Sequence, residues 1–321
     1  MNSVIVVGSF NVDHVWRCAE LPAVGATIAG QYSTGPGGKG FNQAVAAARA
    51  GARTAFVCAL GDDAGGALAR QLAQGDGIDL RAEPSEQPTG TAGIYVDARG
   101  RNSIVIGAGA NGTLGTTAVT ADSSLLAGAR ILLAQLESPV ETIEAALALA
   151  RDAGLVTLLN PAPANAASSI SLLRLADLLT PNETEFAALL ARHVGERIEA
   201  EAVATLDGAS LHALCRLLLP HGSVVVTLGS VGVFVSHADD QTRGDPQPYY
   251  RIGAETVATA DTTGAGDAFN GALAASLARL PDSPFATHVR YANRFAALST
   301  EQAGAAEAMP WHAGVLDRFG P

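Results

Sequence analysis

The sequence predicts a three-layer α/β/α core around a mostly parallel sheet, with a smaller β-sheet as a lid. Three observations carry this. Short apolar runs rich in β-branched residues recur along the chain. Alanine- and leucine-rich stretches with helical spacing separate most of them. One segment breaks the alternation with two apolar runs joined directly by a turn.

Taken in order, VIVVGSF at 4–10 reads as the first strand. The start has no basic n-region, so it is not expected to be a secretory signal. Residues 12–34 read as extended and irregular, and GPGGKGFNQAVAAARAGA at 35–52 as a glycine-rich turn running into a helix over 41–50. A strand at 54–60 and a helix at 65–74 follow. AGIYVD (92–97) and SIVIGA (103–108) flank the turn DARGRN with no helix between them; with residues 12–34 they predict an antiparallel flap. Strands at 131–136, 155–160, 178–180 and 223–229 then alternate with helices at 140–152, 184–191 and 210–219. ILLAQL and SVVVTLG are apolar almost throughout, which suits a sheet covered on both faces. Residues 237–250 read as an exposed loop or hairpin, and DTTGAGDAFNGAL predicts a glycine turn and a helix beginning near Ala268. The division expected is one core (1–10, 36–88 and 109–321) and one lid (11–35 and 89–108).

Composition narrows the function. Of 321 residues 48% are apolar, enough for a large core, and the net charge is −11 with no run of arginines. That argues against nucleic acid and anionic membranes as partners, while leaving room for a phosphorylated ligand held by local amides. Cys18, Cys58 and Cys215 stand singly, as thiols do in a reducing compartment, and no apolar run is long enough for a membrane span. A cytoplasmic protein is expected. The seven histidines form no ligand pair, and no GxSxG-type nucleophile motif is present.

Lys39 is the only lysine in the chain. Its surroundings, Gly35-x-Gly37-x-x-Gly40, match the dinucleotide fingerprint in letters but not in context, because the fingerprint follows the first strand directly. A Walker A loop fails too, since Gly40 follows the lysine. Lys39, Asn42 and Gln43 instead put polar groups at the start of an apolar helix, where free N–H groups are available. Gly264-Ala265-Gly266 before a helix makes an anion hole, with Asp267 at its edge as N-cap, as proton acceptor, or as both. Asn182 and Glu185 have capping-box spacing and also suit Mg²⁺ held through water. Asn11, Asp13 and Glu137 follow strands, where open α/β sheets bind ligands.

In this order, GSFNVDH, GGKGFNQAVAAARAGA, QLESP, LNPAPA, TPNETE, TLGSVGV and DTTGAGDAFNGAL resemble the PfkB carbohydrate kinases, and within them the ribokinase branch. The resemblance runs over about residues 4–312. It implies a ribokinase-like fold and transfer of phosphate from MgATP to a sugar, with D-ribose giving ribose 5-phosphate and another sugar or a nucleoside as the alternative. It implies sugar contacts from Asn11, Asp13, Gly38, Lys39, Asn42 and Glu137, and Asp267 as base. The amides of Gly264, Ala265, Gly266 and Asp267 would hold the transferring phosphoryl group. Asn182, Glu185, Thr227, Gly229 and Asn293 would lie toward the nucleotide and its Mg²⁺. It further implies a K⁺ site from Asp261, Thr263, Ser299, Gln302 and Gly304, and a homodimer through the lid. Two positions depart from the pattern: Phe41, which either reshapes the sugar pocket or packs in the core, and Ala308, which supplies no oxygen to the cation. Rivals of other kinds are a sugar-binding module without catalysis, which the intact GAGD block disfavours, and a dinucleotide oxidoreductase, which rests on the GxGxxG letters alone.

Overall fold

A computed structural model describes residues 3–121, 125–239 and 241–320. The chain opens with β1 (Val4–Val7), β2 (Asn11–Arg17), β3 (Gln31–Gly37) and α1 (Lys39–Arg49). Next come β4 (Thr54–Gly61), α2 (Ala64–Gly75), β5 (Asp79–Ser85), β6 (Gly90–Val96), β7 (Asn102–Gly107) and α3 (Thr117–Thr120). The middle holds β8 (Ile131–Ala134), α4 (Val140–Asp152), β9 (Val156–Leu159), α5 (Ile170–Arg174), β10 (Leu178–Leu179), α6 (Glu183–His193), α7 (Ala200–Val203) and α8 (Gly208–Leu218). Last are β11 (Ser223–Thr227), β12 (Val233–Ser236), β13 (Tyr249–Ile252), α9 (Ala265–Arg279), α10 (Phe285–Ser299) and α11 (His312–Phe319).

Nine strands form one sheet in the order β13-β12-β11-β10-β9-β8-β1-β4-β5, all running the same way except β12, which is antiparallel to both its neighbours. Strand side chains alternate between two cores. Val4, Val6, Phe56, Cys58, Ile131 and Leu133 pack under α1, α2, α9, α10 and α11. Ile5, Val7, Ala55, Val57, Leu132 and Ala134 pack under α4, α5, α6 and α8. That alternation is the period of two expected of a strand, with both faces covered.

A second sheet, β3-β2-β6-β7, stands apart from the first. It is mixed rather than antiparallel throughout: β2 runs parallel to β6, while β3 and β7 are antiparallel to their neighbours. The first strand stops at Val7, short of the expected 4–10, because Gly8 turns against α1; a Cβ on Gly40 would lie 2.5 Å from Ser9 N. The 237–250 segment, described apart from Asp240, joins the antiparallel strands β12 and β13. The polar edge strand β5, with Pro84 in it, was hidden by its composition.

Helix α9 begins at Ala265, three residues before the position expected. Gly264 takes a left-handed φ of 75° and turns the chain directly into the helix, so Asp267 sits inside the first turn and is not the N-cap. Gly271 of α9 faces α1, and a Cβ there would lie 2.4 Å from Gln43 O and 2.8 Å from Ala47 N. Both are backbone atoms, which cannot swing aside. Gly271→Ala therefore destabilises by about 1–3 kcal/mol through overpacking, although alanine is intrinsically the better helix former by about 1 kcal/mol. Urea unfolding checks this; an unchanged or higher midpoint contradicts the packing argument.

Candidate active site

The site lies where strand ends meet helix starts. Ser9, Asn11 and Asp13 follow or enter strands after β1; Gln135 and Glu137 follow β8; Asn160 follows β9; Thr180 and Asn182 follow β10; Thr227 closes β11. These are carboxyl ends of the parallel sheet, the edge at which such sheets bind ligands. A cavity of about 160 Å³ opens there, lined by Lys39, Asn160, Thr180, Asn182, Glu185, Thr227, Thr262, Gly264, Ala265, Gly266, Asp267 and Asn270, with Ala162.

The α1 end comes first. Its N-cap, Gly38, has φ 87°. Glu137 Oε2 accepts from Ser9 Oγ (2.6 Å) and from Lys39 N (3.0 Å), so this carboxylate closes the first turn of α1 across the fold. One turn on, Asn42 Nδ2 donates to Asp267 Oδ2 (2.9 Å) and Gln43 Nε2 to Asp267 Oδ1 (2.8 Å). Asn42 Oδ1 is buried with no partner among the described residues. Phe41 does not enter the site. It is 1% exposed and packs edge-on against Phe10 at 5.1 Å and near Phe56 at 6.0 Å, so of its two readings the core one holds.

At the α9 end, the N–H groups of Gly264, Gly266 and Asp267 make no hydrogen bond among the described residues, whereas that of Ala265, expected in the same set, is taken up by Thr262 O at 3.2 Å because the chain turns there into the helix. With the helix dipole they form an anion-binding start. At the α6 end the capping box is present: Asn182 Oδ1 accepts from Glu185 N and Glu185 Oε2 accepts from Asn182 N, both at 2.9 Å. The box leaves Glu185 Oε1 outside it, so capping and metal-water binding are compatible. Thr227 lines the same cavity; Gly229 and Asn293 do not, and Asn293 Nδ2 instead ties α10 to Gly253 O at 2.8 Å.

The electrostatics are dominated by acids around one cation. Burial raises Asp267 above the ordinary carboxylate range, opposed by Lys39, Asn42 and Gln43. Burial likewise raises Glu185. Asp13, whose carboxyl group lies over Gly37, is raised to about 7 by burial and then by Glu137 and Asp267. Burial opposes the charge on Lys39, yet Asp267, Glu137 and Glu185 outweigh it and hold the ammonium above its ordinary value.

Of the expected cation set, Asp261, Thr263 and Gly304 come together. Asp261 Oδ1 accepts from Thr263 N (2.9 Å) and Oγ1 (2.7 Å), and Oδ2 from Gly304 N (3.0 Å). Ser299 Oγ turns back to Ala296 O, Gln302 is exposed, and Ala308 is buried. From the far end of α1, Arg49 Nη1 donates to the carbonyls of Ala306, Glu307 and Met309, pinning the following segment. Among the described residues, no three His, Cys, Asp or Glu side chains converge as metal ligands.

Residues 1–312 match the model of the pfkB family carbohydrate kinases. The chain belongs to the pfkB family. It is 35% identical over 319 residues to the ribokinase of Haemophilus influenzae, covering 98% of this chain and 97% of that one. It is 37% identical over 324 residues to the bifunctional ribokinase/ribose-5-phosphate isomerase A of Fructilactobacillus sanfranciscensis, covering 99% of this chain but only 56% of that protein. Its fold superimposes on the Arabidopsis thaliana ribokinase solved with ribose and ATP with a TM-score of 0.81, at 30% identity and 98% coverage of both chains. In this pfkB kinase Asn11 accepts from Asn111 Nδ2 at 2.8 Å and Gly38 caps α1, while most of the other residues expected at the sugar and phosphates fall into two groups. Lys39, Asn182, Glu185, Thr227, Gly264, Ala265, Gly266 and Asp267 line one cavity; Asp13, Asn42 and Glu137 are tied to its Lys39 or Asp267 by hydrogen bond or charge. Ser9, Gln135, Asn160, Thr180 and Asn270 were not singled out. Three of them follow strands as Glu137 does, so the rule that found Glu137 reaches Gln135, Asn160 and Thr180 as well.

The raised Asp13 gives a pH test. The folded state holds this proton more tightly than the unfolded chain, so its contribution is present below about 4 and is lost as pH rises toward about 7. Asp13→Asn should raise the melting temperature of the sugar-free protein more at pH 8 than at pH 5. Equal shifts at both values would contradict the buried-acid cluster.

Proposed function

We propose that this chain is an ATP-dependent sugar kinase that transfers the γ-phosphoryl group of ATP to the 5-hydroxyl of D-ribose, giving D-ribose 5-phosphate. The observation that carries the reading is the placement of Asp267: a buried carboxylate with raised basicity, inside a helix start whose free N–H groups face the same cavity. The family and the ribokinase relatives support the reaction and the substrate.

In the reaction, Asp267 takes the proton of the primary hydroxyl as its oxygen bonds to the γ-phosphorus. The bond from that phosphorus to the β,γ-bridging oxygen breaks, and ADP leaves with the electron pair. Charge on the transferring group falls to the N–H groups of Gly264, Gly266 and Asp267 and to the dipole of α9. Lys39 offsets the acids around the sugar. Asn11, Asp13, Gly38, Asn42 and Glu137 line the sugar side, with Asn42 Oδ1 as an acceptor for a hydroxyl.

Mg²⁺ bound with ATP would neutralise phosphate charge; Asn182 and the Glu185 oxygen left outside the capping box would hold it through waters. Thr227 bounds the cavity on the nucleotide side, with Gly229 and Asn293 farther along the same path. Asp261, Thr263 and Gly304 form the cation loop, with Ser299 and Gln302 at its margin. K⁺ held there would steady the turn into α9. The second sheet, 11–35 with 89–108, acts as the lid, and its exposed Tyr32, Ile104, Val105 and Ile106 suit pairing with a second copy as a homodimer. The setting is cytoplasmic.

In a coupled ADP assay, Asp267→Asn lowers kcat by about a thousandfold while the fold persists; substantial turnover would remove Asp267 as the base. The same assay over pentoses, 2-deoxyribose, ketohexoses and nucleosides should favour ribose, and choline in place of K⁺ should slow turnover. Preference for another acceptor overturns the substrate, not the class.

A further inference from the structure

Beneath the proposed base lies a chain of buried amides that the reaction as described does not use. Gln43 and Gln135 are 0% exposed, and Asn160 is 6% exposed. The chain has one fixed end. Thr180 O is a backbone carbonyl and only accepts, so Asn160 must present Nδ2 to it (2.9 Å). Asn160 Oδ1 therefore faces the other way and accepts from Gln43 Nε2 at 3.0 Å. The same Gln43 Nε2 donates to Asp267 Oδ1 at 2.8 Å. Gln43 Oε1 is then left facing Gln135, whose Nε2 donates to it at 2.6 Å. Gln135 Oε1 has no partner among the described residues and lies 2.1 Å from where a Cβ on Gly8 would be.

The orientation of every amide follows from that one carbonyl. If the Gln43 amide turned over, its oxygen would meet Asp267 Oδ1 and Asn160 Oδ1 at hydrogen-bond distance with no proton between them, and its NH₂ would face that of Gln135. Two neighbours thus lock it, from β8 on one side and from the end of β9 on the other. Asn42 holds Oδ2, so Asp267 has one donor on each oxygen and its plane is fixed.

We propose that Gln43, locked by Gln135 and Asn160, is a positioning residue that fixes the orientation and protonation of the Asp267 carboxylate. This rests on the reading of Asp267 as the base. A charge-assisted N–H···O⁻ bond favours the carboxylate over the acid. Lys39 acts in the same direction, while Glu137 and the burial of the site act against it, and Asp13 and Glu185 are the further acids within reach of that charge. Gln43 itself is fully buried and does not line the cavity, so it acts on the site through Asp267.

The test uses Gln43→Met and Gln135→Met, which keep side-chain length and remove the amide. With Gln43→Met, kcat should fall about tenfold and the acid limb of its pH profile should move up by roughly one unit, the size of one hydrogen bond to a charge. Gln135→Met should move both in the same direction by less, because Gln43 remains and keeps Asn160 but loses the other of its two locks. The KM values for sugar and ATP should stay within about twofold in both. A merely structural role would lower the amount of folded enzyme without moving the acid limb. The wild-type protein gives an independent reading without any variant. The side-chain amide resonance of Gln43 should titrate with the midpoint of the Asp267 carboxyl carbon in the sugar-free enzyme. A Gln43 amide that ignores that titration, or folded variants with an unmoved acid limb, overturns the proposal. Activity surviving in Asp267→Asn would instead remove the base assignment and leave the amide titration standing.

Discussion

The close approach of α1 and α9 is the constraint on which the site depends. Gly271 lets the two helices meet with backbone against backbone, at a distance that a single methyl group would not fit. At that separation the short side chain of Asn42 and the longer one of Gln43 both end on Asp267, one on each oxygen. The glycines farther along serve the same end. Gly40 brings the start of α1 against Ser9, so that Glu137 closes the first turn, and Gly264 aims α9 at the same space. Three helix starts then face one sheet edge: α1, α6 and α9.

Bringing acids to that edge has a cost that the sequence balances narrowly. Glu137, Glu185 and Asp267 surround a single ammonium, and Asp13 faces two of them, Glu137 and Asp267. Burial disfavours the charges on Asp13, Glu185, Asp267 and Lys39, and the pairings with Lys39 return part of that. The outcome is an Asp267 carboxylate more basic than an exposed aspartate and a neighbour, Asp13, raised to about 7. A lysine suits the centre because its compact charge reaches several oxygens, where a planar guanidinium would demand a broader slot. In a chain whose other basic side chains are all arginine, Lys39 is placed where that difference matters.

Much of this could be read in the sequence, and for physical reasons. Parallel strands buried on both faces write themselves as apolar runs, so β1, β4, β8, β9 and β11 were legible. Glycines beside a lysine or an aspartate marked the two helix starts. Other features were not legible because their signal is local and weak. Edge strand β5 is polar, and Gly264 to Gly266 disguise the first turn of α9, since glycine is a poor helix former. Phe41 shows a different limit: an aromatic beside a site residue looks like a pocket feature, and only the position of Phe10 and Phe56 places it in the core. The amide chain from Gln135 to Thr180 joins residues from four separated segments, which no local spacing reveals.

Catalysis by Asp267 requires a sugar hydroxyl between its carboxylate and the start of α9. The most direct measurement is a crystal structure with D-ribose and a non-hydrolysable ATP analogue. The primary hydroxyl oxygen is expected about 3 Å from an Asp267 carboxylate oxygen, with the γ-phosphate facing the amides of Gly264, Gly266 and Asp267. A primary hydroxyl held by another residue and out of reach of Asp267, with phosphate away from those amides, would contradict it.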